Sequence, residues 1–249
     1  MFVDDSAFER EEVKVVCPDV VVLDAAEYLT ITTRPECQAP VTEESKKRRS
    51  LYRERQIRDV AQKEFKGDYG AFLRDCGLQS IVRPMTDMNL ERVHELTQRT
   101  NQMNFSGNCY TREQIQELLG SSRIGTYVID CKDRFGAYGT IGFCTVDRRE
   151  NRMIDLMFSC RIQDKRVEQA FMSYILRKYR ELGADDFFVS YRRTKRNAVS
   201  GKVFEDFDFE LVNEVEGVTD LVYRRGREIL YDDIVTIEEE MWSATKPVV

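Results

Sequence analysis

The order of secondary-structure elements after residue 80 constrains the fold of this chain most. Short apolar segments bounded by turn residues predict strands, and apolar residues at helical spacing predict helices. The predicted strands are residues 80–84, 126–129, 138–146, 153–160, 187–191, 209–212 and 221–224. The predicted helices are residues 87–100, 111–119, 167–182 and 195–204. This order of elements predicts an α+β fold with a mixed sheet flanked by helices.

The first residues predict a separate and partial α/β unit. Residues 2–3 form a short apolar strand that runs into Asp4 and Asp5, and residues 6–9 have the S-x-x-E pattern of a helix capping box. A second apolar strand follows at residues 20–23. Because a parallel pair needs further strands beside it, we expect one edge of an incomplete domain. The paired acids follow a strand, where open α/β sheets bind ligands.

Length and composition limit the possible classes of protein. The 249 residues allow one large domain, or one ordinary domain with an appendage. The seven cysteines are odd in number and contain no C-x-x-C pair, which predicts reduced thiols in a cytoplasmic protein. The apolar runs are too short for a membrane span, so no membrane partner is expected. The net charge of −6 argues against a nucleic-acid partner.

The single histidine removes several kinds of catalytic site. His94 is the only one in the chain, so histidine-dependent serine catalysis and histidine-rich zinc sites have almost no ligands or bases available. His94 lies in the helix predicted at residues 87–100. We interpret it as a residue at the edge of the apolar face, with a catalytic base as the alternative.

Composition also predicts how the chain is organised. Residues 34–45 form a polar connector with two prolines. Residues 46–65 form a charged and mostly solvated linker helix whose sparse apolar contacts are Leu51, Ile57, Val60 and Phe65. A second boundary is expected near Gly77. The predicted organisation is an α/β edge at 1–33, a linker helix region at 34–77, the main domain at 78–232 and a C-terminal tail at 233–249.

The element order after residue 80 resembles that of the GCN5-related N-acetyltransferases. In that family a loop with the signature Q/R-x-x-G-x-G/A follows the fourth strand, and its backbone N–H groups bind the pyrophosphate of coenzyme A. This chain has a loop of six residues at that place, Arg161, Ile162, Gln163, Asp164, Lys165 and Arg166. The resemblance implies that these six residues bind coenzyme A or an acyl-coenzyme A.

Two residues of this loop depart from the family pattern. Glycine would allow a positive φ and a close approach to phosphate, whereas this chain has Asp164 and Arg166 at those positions. A carboxylate roughly 5 Å from a phosphate costs about 1 kcal/mol at the dielectric constant of water and about 3 kcal/mol at a value near 20. Lys165 and Arg166 can offset that repulsion. The alternative is a basic helix start that binds no ligand.

Four further motifs together resemble a more specific family. Residues 2–11 resemble the motif F-[IV]-D-D-x-x-x-E-R of haloacid-dehalogenase-type phosphatases of the FkbH-like subfamily IIIC. Residues 99–105, 133–136 and 159–161 are similar to the acetyltransferase-like half of the same family. The resemblance therefore implies a haloacid-dehalogenase-like edge fused to a GCN5-related N-acetyltransferase-like domain.

The resemblance implies a metal site and several partners. In that family the phosphatase-like half uses Mg²⁺ and an aspartate nucleophile to transfer a glyceryl unit to an acyl-carrier protein for polyketide assembly. Asp4 and Asp5 match its metal-binding pair, and this chain begins after the nucleophile, so we expect a truncated phosphatase half. Mg²⁺ is expected only if the missing half is supplied, for example by a separate phosphatase-domain polypeptide.

The same resemblance implies candidate catalytic residues. Tyr191, Thr194 and Asn197 match a family pattern Y-x-x-T-x-x-N, so Tyr191 and Asn197 are predicted to face the pantetheine arm. Tyr191 is the candidate that protonates a leaving thiolate. The alternative for Tyr191 is a core tyrosine with its hydroxyl at the rim. Cys160 is a candidate nucleophile, with a buried thiol as the commoner alternative.

Three hypotheses for function remain open. The first is an acyltransferase-like protein that acts on a phosphopantetheine thioester, on an acyl-carrier protein or on coenzyme A, in polyketide-type secondary metabolism. The basic cluster Arg192, Arg193, Lys195 and Arg196 would then bind the 3′-phosphate of coenzyme A or an acidic carrier protein. The second is a non-catalytic module that docks a carrier protein for a separate phosphatase-type transferase. The third is a decayed reading frame with no activity.

Overall fold

A computed structural model of the chain describes residues 1–38, 43–197, 200–231 and 233–240. The chain divides into two compact units, one on each side of the bond between Glu43 and Glu44. The domain boundaries that the sequence predicts stay predictions.

The first unit, up to residue 43, is built on one βαβ element. Its elements are β1 (Phe2–Asp4), α1 (Ala7–Val16), β2 (Val22–Asp24) and two 3-10 helices (Ala25–Thr33 and Pro35–Cys37). β1 and β2 pair in parallel, which confirms the predicted βαβ order. Ser6 caps α1 as predicted, because its side chain accepts a hydrogen bond from the N–H of Glu9 at 3.4 Å. Residues 39–42 of the predicted connector lie outside the described residues.

The second unit contains one large mixed sheet. Its strands within the described residues are β3 (Leu78–Arg83), β4 (Ile124–Asp133), β5 (Gly136–Asp147), β6 (Arg152–Phe158), β7 (Phe187–Arg192), β8 (Glu210–Val215), β9 (Val218–Tyr223) and β10 (Val235–Glu239). They lie in the order β10-β3-β4-β5-β6-β7-β9-β8. The β10–β3 and β6–β7 pairs are parallel, and the other neighbours are antiparallel.

Helices cover both faces of this sheet. They are α2 (Glu43–Glu64), α3 (Tyr69–Cys76), α4 (Asp87–Arg99), α5 (Arg112–Gly120), α6 (Val167–Glu181) and α7 (Lys202–Asp206). α6 buries Phe171 and Ile175 completely in the core on one face, and Val93 of α4 and Ile115 of α5 are as fully buried in the core on the other. Each such side chain contributes about 1.5–3 kcal/mol of hydrophobic stabilisation. The predicted α+β sheet flanked by helices, in the predicted order from β3 to β9, is therefore confirmed.

The predicted linker helix is present as α2, and two of its four predicted apolar contacts are made. Ile57 and Val60 are 55% and 54% exposed, whereas Leu51 and Phe65 are half-buried as predicted. Leu51 and the buried Arg58 are seven residues apart and lie on one face of the helix, and Phe65 directly follows its end. Among the described residues, no helix is both long enough and apolar enough to cross a membrane.

Two segments near the C-terminus differ from the sequence prediction. Residues 235–239 were assigned to a tail, yet they form β10 and pair with β3. The predicted helix at 195–204 is reduced to α7, because the N–H of Thr194 donates to Oδ1 of Asn197 and closes a turn at its start. Residues 198 and 199 of that prediction lie outside the described residues.

Candidate functional site

The candidate site lies where β6 and β7 separate. These parallel strands pair only at Arg152 with Phe188 and at Met153 with Val189, after which they diverge. Residues 103–105, from the connection between α4 and α5, lie in the gap. We call these three residues the inserted segment.

The inserted segment bonds to both diverging strands through its backbone. The N–H of Phe105 donates to the carbonyl of Leu156, and the N–H of Phe158 donates to the carbonyl of Met103, each at 2.9 Å. On the other side, the N–H of Arg192 donates to the carbonyl of Phe105 at 2.9 Å. The segment therefore acts as a short strand between β6 and β7.

Asn197 holds the inserted segment from the side of β7. This residue is fully buried, and its Nδ2 donates to the carbonyl of Asn104 at 2.6 Å and to the carbonyl of Arg192 at 2.8 Å. Its Oδ1 accepts the N–H of Thr194 at 2.6 Å. All of these bonds go to backbone groups, so the structure gives Asn197 a positioning role.

Tyr191 lies behind the inserted segment. Its hydroxyl donates to the carbonyl of Asn197 at 3.4 Å, and its ring packs against Phe105 and Phe204 with centroids 6.4 and 5.6 Å away. Burial raises the pKa of the Tyr191 hydroxyl. The structure thus brings the two predicted catalytic residues together. The hydrogen bonds described above for both side chains go to backbone groups of the chain itself.

Asp155 holds the chain directly after the inserted segment. Its carboxylate is 1% exposed and accepts four hydrogen bonds from neutral donors. Oδ1 accepts from Ser106 Oγ at 2.7 Å and Asn108 Nδ2 at 2.8 Å, and Oδ2 accepts from Tyr110 and Thr145 hydroxyls at 2.6 Å each. This cluster fixes the path of the chain as it leaves the gap.

The loop that leads from β6 to α6 keeps a conformation that suits glycine. Asp164 has a φ of 61° and Arg166 a φ of 65°, and these are the two positions where the acetyltransferase signature has small residues. Only glycine adopts this region without steric cost. The backbone therefore has a positive φ at both signature positions, while both positions carry side chains that the signature lacks.

The remaining loop residues point in different directions. Ile162 is fully buried in the core, and Gln163 is exposed. Arg161 donates from Nε to Ser159 Oγ at 3.1 Å. Lys165 is half-buried, and burial lowers its pKa, as does the nearby cation of Arg58.

A cavity of about 1010 Å³ lies in front of this loop, within the second unit. Its floor is apolar and includes Phe72, Leu96, Met103 and Phe158. Its other lining residues include the cations Arg48, Arg55, Arg99, Lys195 and Arg196. Cations outnumber carboxylates among the described lining residues. The cavity can therefore hold a ligand with an anionic end and a neutral, extended body.

Arg58 anchors α2, which forms one wall of this cavity. Its Nε and Nη2 donate to the two carboxylate oxygens of Asp133 at 2.7 and 2.9 Å, and Nη2 also donates to the carbonyl of Gly136 at 3.2 Å. Tyr138 donates to the same carboxylate at 2.8 Å, and its ring lies 4.1 Å from the guanidinium. The sequence identified the turn at 133–136 but gave no signal for this partner.

Glu168, in the first turn of α6, has a carboxyl group beside the loop whose raised pKa makes the stability of the protein depend on pH. Burial raises its pKa from 4.5 to about 7, and its Oε2 has no hydrogen-bond partner within the described residues. The folded state therefore holds this proton more tightly than the unfolded state, so stability falls as pH rises through that interval. We expect Glu168→Gln to stabilise the protein by about 1–3 kcal/mol at about pH 8 and by much less at about pH 4.

Urea unfolding at both pH values checks this expectation. Glu181→Gln is the matched control, because Glu181 is an exposed residue of the same helix. A gain from Glu168→Gln that did not depend on pH would contradict the proposed effect of burial.

The predicted metal residues lie in the first unit. Oδ1 of Asp4 accepts the N–H of Ser6 at 2.8 Å, and Asp5 is exposed. The nearby carboxylate of Asp24 pairs with Arg10 at 2.6 Å. The part of the chain that the structure describes contains no group of three or more metal-ligating side chains. Because Mg²⁺ takes six oxygen ligands, these residues alone do not fit it, and no step is derived through it.

Comparisons with known proteins give matches of fold. No protein-family model matches the chain, and no curated protein matches it. A domain from Methanocaldococcus jannaschii has 16% identity and a TM-score of 0.50, and the match covers 59% of this chain and 99% of that domain.

Two named enzymes are also similar in structure. Spermidine N-acetyltransferase from Vibrio cholerae, in complex with coenzyme A and spermine, has 13% identity and a TM-score of 0.46. The match covers 59% of this chain and 96% of that enzyme. The ribosomal-protein-S18-alanine N-acetyltransferase from Escherichia coli has 10% identity and a TM-score of 0.46, and the match covers 61% of this chain and 99% of that enzyme. At these identities, the archaeal domain shows a shared fold for about three-fifths of the chain and nothing about its substrate.

Proposed function

We propose that this chain binds the phosphopantetheine arm of an acyl-carrier protein in the cavity and serves as a docking module. One observation carries the proposal, namely an apolar floor beside a cluster of cations in a single cavity of about 1010 Å³. A phosphopantetheine arm has matching chemistry, because it joins a phosphate to a long neutral chain that ends in a thiol or thioester.

The charges around the cavity also suit a carrier protein with an acidic surface. Arg55 is 73% exposed, Arg99 is 59% exposed, and Lys195 and Arg196 are exposed beside them in the lining. Exposed cations of this kind attract an acidic partner over several ångströms and orient it before contact. The arm then enters the cavity while the carrier protein stays outside.

We do not propose coenzyme A as the ligand of the loop that the acetyltransferase resemblance implies for it. Asp164 puts a carboxylate where that signature brings a phosphate, and Arg166 adds a side chain at the second small position. The gap between β6 and β7 contains the inserted segment. For this reason the proposal includes no acyl-transfer step.

A second candidate function is acyl transfer from a phosphopantetheine thioester, and the loop favours it. The positive φ values at Asp164 and Arg166 are those of a phosphate-binding loop, and a simple helix start has no need of them. Release of free thiol from acetyl-coenzyme A by the purified chain would support this candidate. If the chain is only a docking module, we expect free thiol to be released no faster than in buffer without the protein.

We also propose a metabolic context and a second protein partner for this chain. The motif resemblance supports polyketide-type secondary metabolism and a separate phosphatase-type polypeptide as a further partner. The parallel β1–β2 pair of the first unit is the feature that would join such a partner, because each strand of an α/β sheet needs neighbours. Co-purification with an FkbH-like phosphatase half tests this point.

Cys160 provides a test of arm binding, because it is a free and exposed thiol in the cavity lining. The probe is the symmetrical disulfide of 4′-phosphopantetheine. The Cys160 thiolate attacks this disulfide, forms a mixed disulfide with one arm and releases the other as a thiol. We expect labelling at Cys160 to be about tenfold faster than at the exposed thiols Cys17, Cys37 and Cys109, because binding raises the local concentration.

Charge variants then separate binding from simple thiol reactivity. Lys195→Glu with Arg196→Glu is expected to slow labelling of Cys160 by the anionic probe about tenfold and to leave labelling by neutral pantethine unchanged. Lys202→Glu is the matched control, because Lys202 is exposed on α7 and is not among the lining residues. Mass spectrometry of peptides gives the rates. Equal rates at all four exposed thiols would overturn the docking proposal.

A further inference from the structure

The inserted segment uses the backbone groups that the diverging strands would otherwise offer to a ligand. The carbonyl of Leu156 and the N–H of Phe158 face the gap from β6, and the N–H of Arg192 faces it from β7. All three bond to the chain itself. The ring of Phe105 fills the space behind them, with only 1% of the residue exposed.

An extended ligand with amide groups binds an open strand edge through the same kind of hydrogen bond. In this mode the main-chain bonds supply affinity and the side-chain pockets supply selectivity. Here any such ligand must first displace Met103 and Phe105 from the edge of β6. It must also break the hydrogen bond from Asn197 Nδ2 to the carbonyl of Asn104, since this bond holds the segment in place.

We infer that residues 103–105 are a built-in strand that closes the facing edges of β6 and β7 to an extended ligand with amide groups, such as the pantetheine arm of acyl-coenzyme A. The domain therefore excludes acyl-coenzyme A from this gap in its folded state. Asn197 and Asp155 are the positioning residues. Asn197 bonds to Asn104 in the middle of the built-in strand, and Asp155 bonds to Ser106, which directly follows the strand. This inference concerns the gap alone and does not depend on what the cavity binds.

Hydrogen exchange measured with and without acetyl-coenzyme A tests the inference on the full chain. Peptides that cover residues 101–108 and 153–160 report the amides of Phe105 and Phe158, which are hydrogen-bonded and buried. We expect slow exchange that saturating acetyl-coenzyme A changes by less than about twofold. Faster exchange at residues 103–105 on addition of acetyl-coenzyme A would overturn the inference, because the ligand would then displace the strand.

Two variants separate the role of the segment from the role of the loop. Asp164→Gly removes the repulsive carboxylate but leaves the built-in strand, so we expect exchange at Phe105 and Phe158 to stay slow in this variant when acetyl-coenzyme A is added. Faster exchange at these amides in Asp164→Gly alone would contradict the inference, since the loop would then be the only barrier. The docking proposal is unaffected by either result, because these amides report the gap and not the cavity.

Asn197→Ala tests the positioning role. We expect exchange at Phe105 to accelerate about tenfold or more, while exchange in the core of α6 stays within about twofold. Asn213→Ala is the matched control, because Asn213 is exposed on β8. Equal acceleration in both regions would mean that Asn197 supports the whole domain, and it would remove its positioning role. If Asn197→Ala does not fold, the comparison with acetyl-coenzyme A on the unmodified chain still decides the inference.

Discussion

Arg58→Met is expected to lower the free energy of unfolding by about 3 kcal/mol, because it leaves a buried carboxylate without its cation. The side chain of Asp133 is 0% exposed and that of Arg58 is 9% exposed. Asp133 would keep bonds from Tyr138 and from two backbone N–H groups, but its charge would have no counterion within the hydrogen-bonded cluster. Urea unfolding measures the loss as the shift in the midpoint urea concentration, provided that the unfolding free energies of both proteins depend on urea with the same slope.

Two further variants provide a matched control and a double-mutant cycle for this prediction. Arg55→Met changes an arginine of the same helix that is 73% exposed and 4.0 Å from Asp59, so we expect a loss below about 0.5 kcal/mol. Combining Arg58→Met with Asp133→Asn removes both charges and is expected to recover part of the loss. An Arg58→Met effect no larger than that of Arg55→Met would contradict the view that this pair anchors α2.

Local sequence patterns were enough to predict most of the second unit. α6 follows from Phe171 and Ile175 at helical spacing, and the β4–β5 hairpin follows from the turn residues at 133–136. These patterns are reliable because a periodic apolar face must be buried, whatever it packs against. The same reasoning predicted the cap of α1 at Ser6.

Contacts between distant residues could not be predicted in this way. The Arg58–Asp133 pair spans 75 positions, and the charged segment that contains Arg58 was interpreted as solvated. β10 has five residues and finds its neighbour β3 more than 150 positions away. In both cases the partner, rather than the local pattern, decides the structure.

The inserted segment shows the same limit at the candidate site. Residues 103–105 were part of a family motif, but their sequence has no strand pattern of its own. They form a strand because β6 and β7 diverge and leave backbone groups that need partners. The bond from Asn197 to Asn104 spans 93 positions, so the motif around Asn197 could suggest a site without indicating this role.

The cluster around Asp155 shows why a buried carboxylate without a cation can be stable. All four donors are neutral, and Tyr110 and Thr145 both approach at 2.6 Å. Hydrogen bonds to a charged acceptor contribute about 1.5–3 kcal/mol each, which offsets the cost of burial. Burial raises the pKa of Tyr110, and the neighbouring Asp155 carboxylate raises it further.

Asp155→Ala is therefore expected to lower the free energy of unfolding by about 3–5 kcal/mol, because it leaves Ser106, Asn108, Tyr110 and Thr145 without their acceptor. Asp155→Asn keeps the shape and one acceptor oxygen, and the hydroxyl donors can rotate to accept from the new amide, so we expect a loss of about 1–2 kcal/mol. Urea unfolding gives both values. Since Ser106 directly follows the inserted segment, Asp155→Ala is also expected to accelerate exchange at Phe105 more than Asp155→Asn does. Equal losses for the two variants would mean that charge, rather than the set of acceptor oxygens, holds this end of the built-in strand.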